Sequence, residues 1–179
     1  MLLLLVAGCG SSVHSDEDAK KSYLGLDPSI DKAIGLGFDG FNSASSANID
    51  PQTADGGVSG TLTVTGQVDQ GVSLNKGMRL FEALDNYSDD GHITYKTNAS
   101  ALPALTMQLK NIPTGTLDGT LVGTINMSGD EHGDLTLNLS FTGLLQPGSG
   151  TTVTRQPGTT HITGTATSSA GTYTVNVTR

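Results

Sequence analysis

Thr116-Leu117-Asp118-Gly119-Thr120-Leu121-Val122-Gly123-Thr124-Ile125-Asn126-Met127 and Leu135-Thr136-Leu137-Asn138-Leu139-Ser140-Phe141-Thr142 decide the fold. In the first stretch Leu117, Gly119, Leu121, Gly123, Ile125 and Met127 share one side of an extended chain. Thr116, Asp118, Thr120, Val122, Thr124 and Asn126 share the other. In the second, Leu135, Leu137, Leu139 and Phe141 oppose Thr136, Asn138, Ser140 and Thr142. Successive side chains of a strand point to opposite faces, so a strict period of two predicts sheets with one face buried and one in water. Ser128-Gly129-Asp130-Glu131-His132-Gly133 lies between the two stretches and is made of turn formers, which predicts a hairpin.

The same alternation spreads outward. Leu62, Val64 and Val68 alternate with Thr61, Thr63, Thr65 and Gln67; Leu105, Met107 and Leu109 with Thr106, Gln108 and Lys110; Tyr173, Val175 and Val177 with Thr172, Thr174, Asn176 and Thr178. Residues 78–84, 92–97 and 160–166 are weaker members. Ser168-Ser169-Ala170-Gly171 reads as a second hairpin turn, and 143–159 as a longer connection. The expected fold is mainly β: about eight antiparallel strands over 58–179, in a sandwich, a barrel or one strongly curved sheet.

Upstream, Asp27-Pro28 with Asp31 reads as a helix start, with Asp as the cap and Pro in the first turn. Ile30, Ala33, Ile34, Phe38 and Phe41 follow at helical spacing. Gly35, Gly37 and Gly40 each weaken such a helix by ~1 kcal/mol relative to Ala. The expectation is one short helix packed on the sheet, with an irregular strand as the alternative. Residues 42–57, ending in Asp55-Gly56-Gly57, read as a loop. Residues 10–22 are small and charged and read as a flexible tether.

Composition agrees with an all-β chain. Gly numbers 24 of 179, aromatics are 4% and Trp is absent, so the core is built from Leu, Val and Ile. The formal charge is −8, and no run of basic residues occurs, which argues against nucleic acid as a partner. A transmembrane barrel shares the alternation but carries aromatic girdles, and four Tyr, four Phe and a Thr178-Arg179 end do not supply them.

The start of the chain carries the one family resemblance. Leu2 to Gly8 form an apolar stretch too short to span a bilayer, and Leu5-Val6-Ala7-Gly8 precede Cys9, the only cysteine. This resembles the lipobox of bacterial lipoproteins. The resemblance implies cleavage before Cys9, acyl chains of the palmitate class on its sulfur and amino group, and residence on a membrane in the cell envelope. Gly10 in place of Asp favours the outer membrane by the same resemblance. No Lys or Arg precedes Cys9, so residues 1–8 read as a signal peptide whose start is truncated. A lone Cys makes no intrachain disulfide, which fits one reserved for lipid. The division is then 1–8 leader, 9–22 lipidated Cys and tether, and 23–179 one β-rich domain, with helix and loop over 23–57 and strands over 58–179.

Chemistry has two candidate places. Asp85, Asp89 and Asp90 cluster before Gly91, and Asp130, Glu131 and Asp134 surround a hairpin tip; either set of oxygens suits Ca2+. The spacing does not match an EF-hand, and Asp, Asn, Ser and Gly are also ordinary turn formers. His14, His92, His132 and His161 show no zinc-ligand spacing. No G-x-S-x-G elbow and no phosphate-binding Gly loop occurs, and no catalytic residue or cofactor is assigned.

Three functions are weighed. The first is a non-catalytic β-domain displayed at the envelope as a structural or binding module, its partners the membrane and another envelope protein. The second is a carrier or sensor of a lipid or other apolar ligand, housed beside the small inward residues Gly119, Gly123, Gly164 and Ala166. The third is a hydrolase, which no motif supports.

Overall fold

A computed structural model describes residues 11–179. One helix, α1 (Asp16–Ser43), precedes ten strands: β1 (Asn48–Asp55), β2 (Ser59–Val68), β3 (Lys76–Ser88), β4 (Ile93–Thr97), β5 (Ala104–Lys110), β6 (Thr116–Gly129), β7 (Gly133–Pro147), β8 (Val153–Arg155), β9 (His161–Ser168) and β10 (Gly171–Thr178). All pairings are antiparallel and belong to one sheet. β4 and β5 lie end to end between β3 and β6, with 98–103 standing out between them. β8 and β9 lie end to end along β7 in the same way. The ten strands therefore fill eight positions of a simple meander.

The predicted alternation is realised in the registers. β6 and β7 pair from Thr116↔Leu144 to Met127↔Gly133, which sets Leu121 beside Leu139 and Ile125 beside Leu135 on the inner face. The outer face carries hydroxyl pairs: Thr53 with Thr63 at 3.0 Å, Thr124 with Thr136 at 2.8 Å and Thr167 with Thr172 at 2.9 Å. Such cross-strand pairs stabilise a wet face by a few tenths of a kcal/mol up to ~1 kcal/mol each.

The helix lies in the concavity. Eight strand positions about 4.8 Å apart make a flat sheet nearly 40 Å wide, against about 10 Å for a helix. Yet α1 touches both edge strands, β1 and β10, as well as β2, β3 and β8. The sheet must be rolled around it. β1 and β10 do not pair with each other; instead Asp16 Oδ1 accepts the Thr174 amide at 2.7 Å and Lys32 Nζ donates to the Asp55 carbonyl at 3.0 Å. The helix thus occupies edge groups that would otherwise template pairing with another chain.

Three expectations need correction. The helix is long, not short: it spans 28 residues, starting at the Ser15 cap, whose Oγ accepts from the Asp18 amide, with Asp16, Glu17 and Asp18 in its first turn. Pro28 lies inside it. A proline there lacks an amide donor and costs about 3 kcal/mol, which burial of Tyr23 and Leu26 before it and Ile30 after it offsets. The described part of the expected tether, 11–22, is packed against the domain. Val13, Ala19 and Ser22 are fully buried, and Asp16, Glu17 and Lys20 hold the wet side of the helix, so averaged composition hides the buried stripe. The expected loop 42–57 contains β1. Only Ile49 of that strand is buried, and Pro51 is tolerated because an edge strand needs fewer amide donors.

Candidate functional site

The polar groups that converge most tightly join α1 to β8 and β10. Asp27 and Asp31, four residues apart, share one helix face. Arg155 spans both: its Nε donates to Asp31 Oδ1 at 2.7 Å, its Nη1 to Asp27 Oδ1 at 2.9 Å, and its Nη2 to Asp27 Oδ2 and Asp31 Oδ2 at 2.9 Å each. Tyr23 donates its hydroxyl to Asp27 Oδ1, and Arg179 Nε donates to Asp27 Oδ2 at 3.1 Å. A cleft of about 410 Å3, lined by Asp27, Asp31, Arg155, Pro157, Thr160 and Arg179, opens beside them.

The Arg155 side chain is 4% exposed and that of Asp27 3%. Burial alone raises the Asp27 carboxyl, but the Arg155 fork, aided by Tyr23 and Arg179, holds it below its ordinary value. Burial and the adjoining carboxylate push the Tyr23 hydroxyl far up. Asp27 is therefore a carboxylate at neutral pH and Tyr23 a phenol. Arg155 joins both helix carboxylates to β8, and the buried Thr160 hydroxyl lining the cleft has no hydrogen-bond partner.

The acidic turns come together at one end of the sheet. The Asp130 amide donates to the His92 carbonyl at 2.9 Å, and His92 Nδ1 lies 3.3 Å from Asp130 Oδ2. Their carboxylates are otherwise engaged. Asp89 accepts from Lys32, from the Tyr87 hydroxyl and from the Gly57 amide; burial raises its carboxyl, and these donors bring it below its ordinary value. Glu131, buried, accepts from Ser12 at 2.6 Å and Lys21 at 3.0 Å. Asp90 accepts the His92 amide at 2.8 Å. Asp85 sits apart, exposed on β3 and 3.5 Å from Lys96, and Asp134 on β7 accepts from Asn126 at 2.8 Å. Among the described residues no three His, Cys, Asp or Glu side chains are grouped to hold a metal ion.

The small inward residues differ in their surroundings: Gly119, Gly123 and Gly164 are half-buried, and Gly119 and Gly123 each line an outer groove. A Cβ at Gly119 would lie 2.2 Å from Met107 Sδ, one at Gly123 2.5 Å from Pro103, and one at Gly164 2.2 Å from the Asn138 carbonyl. Ala166 is fully buried. The glycines that admit the helix are its own: a Cβ at Gly37 would meet Leu80 at 3.1 Å, and one at Gly40 would meet Ile49 at 2.8 Å. A larger groove of about 610 Å3 lies on the outer face beside 98–103, lined by Lys96, Asn98, Leu102, Thr124, Asn126 and Asp134 among others.

Two polar features escape a reading of sequence. The Asp27–Arg155 pair spans 128 residues, and Asp27 is masked by its resemblance to a helix cap. Glu82 shows a signal: Met78, Leu80 and Leu84 share its phase, so it faces inward. It is 1% exposed, its Oε1 lacks a partner, and burial pushes its carboxyl up to about 8. Cys9, the expected lipid site, lies outside the described residues. The chain matches no protein-family model, and neither a curated protein nor a solved structure is significantly similar to it.

Proposed function

We propose that this chain is a lipid-anchored protein of the bacterial cell envelope that displays a non-catalytic β-domain as a structural or binding module. The observation that carries the proposal is Leu5-Val6-Ala7-Gly8-Cys9 at the start of a chain that then folds as one β-domain. An acidic charge and a Thr-rich, Asn-rich outer face suit such a domain to water beside a membrane. The Asp27–Arg155 pairing supports display over catalysis, because both Asp27 oxygens accept from Arg155 and a neighbouring donor. The test is expression in a bacterium with basic residues supplied ahead of Leu2, in the presence of labelled palmitate. Label and membrane association are expected in the parent and lost in Cys9→Ser. An unlabelled parent protein sinks the proposal.

A further inference from the structure

The chain enters the fold at a defined place. The Ser11 amide donates to Ser169 Oγ at 3.0 Å, the Ser12 amide to the His132 carbonyl at 3.0 Å, and Ser168 Oγ to the Val13 carbonyl at 2.8 Å. The His132 amide returns a bond to Ser12 Oγ at 2.8 Å, and Val13 is fully buried. Residues 11–13 are thereby stapled between the β6–β7 and β9–β10 hairpin tips. The β3–β4 turn adjoins through the Asp130–His92 bond, and the β1–β2 turn adjoins that one through Val58 and Gly57 to Ser88 and Asp89. Four turns and the start of α1 make up this end of the rolled sheet. The connections 69–75, 111–115 and 148–152 and the end of α1 make up the other, where Asn42 bonds Thr151. Strands of eight residues such as β9 and β10 separate the two ends by roughly 25 Å.

Cys9 is two residues from Ser11, so at most ~7 Å of chain separates them. With the lipoprotein reading as premise, we infer that the domain stands on the bilayer by the end formed by turns 56–58, 89–92, 130–132 and 169–170. The partner of that end is the lipid headgroup surface. The Asp27–Arg155 cleft, beside the start of β9 and the end of β10, then lies at the opposite end of those two strands from the bilayer. Asp16, Glu17, Asp18, Asp90 and Asp130 outnumber Lys20 and Lys21 on the surface of the contacting end and make it acidic, so acyl chains hold it and anionic headgroups repel it. The surface that fits is zwitterionic.

The inference is tested on lipidated protein in phosphatidylcholine vesicles containing lipids with nitroxide headgroups. Because the lipid occupies Cys9, Ala170→Cys and Ser149→Cys each supply one reactive thiol for a fluorophore. Quenching at 170 is expected to exceed that at 149 at least threefold. A Gly/Ser insert of fifteen residues between Gly10 and Ser11 is expected to erase the difference, and part-replacement by phosphatidylglycerol to reduce quenching at 170. Intact mass before labelling separates the two ways of failing. A chain without acyl mass overturns the lipoprotein reading and the orientation with it. An acylated chain quenched equally at both positions, or more at 149, overturns the orientation alone.

Discussion

Arg155 and Asp27 form a buried two-point ion pair, with 2.9 Å at each contact, between residues 128 apart in the chain. The same guanidinium also grips Asp31, so one side chain on a three-residue strand fastens the middle of α1. Removing one member leaves the other charged and buried, which costs more than the pair contributes.

Arg155→Met alone is expected to destabilise the fold by about 3–5 kcal/mol in urea unfolding. Asp27→Leu combined with Arg155→Met is expected to recover most of that loss. Asp27 has a depressed carboxyl, so its contribution is present above the ordinary value of 3.8 and is lost as pH falls through its lower folded value. Unfolding midpoints of the parent should therefore drop steeply on the acid side of that value, and those of the double variant less so.

Glu82 has the opposite sign. Its folded carboxyl is raised from 4.5 to about 8, so stability is full below 4.5 and declines as pH rises through that window. Each pH unit in the window costs about 1.4 kcal/mol. Glu82→Leu should raise the melting temperature at pH 7.5 and change it little at pH 4.5. An equal gain at both values would show that packing, not ionisation, is responsible.

The helix glycines divide by what lies beside them. Gly35 has no atom near its missing Cβ, so Gly35→Ala should stabilise by up to ~1 kcal/mol. Gly40→Ala would place a methyl 2.8 Å from Ile49 Cβ, and overpacking of that kind costs about 1–3 kcal/mol. Chemical denaturation of the two variants should give opposite signs.

The docking of 11–13 is also measurable. Val13→Asp is expected to speed amide hydrogen exchange at the start of α1 without changing exchange in β6 and β7. A flexible tether would tolerate the charge with no change anywhere.

Most of the sheet was legible in the chain itself. Period-two alternation is a local property: Leu135, Leu137, Leu139 and Phe141 must share a face wherever the strand lies, and the turn formers Gly129 and Gly133 mark where β6 ends and β7 begins. That same periodicity held the clue to Glu82. The resemblance of Leu5-Val6-Ala7-Gly8-Cys9 to a lipobox is likewise a local reading, and the lipid anchor it implies stands as a proposal. What only the tertiary structure decided is what depends on partners distant in sequence. The helix runs through Pro28 because Tyr23, Leu26 and Ile30 are buried together, an energy no local propensity contains. Residues 11–22 are fixed to the domain because two hairpin tips hold them, and polar composition alone reads the same whether such partners exist or not. Asp27 changes from helix cap to buried clamp because Arg155 arrives from 128 residues away.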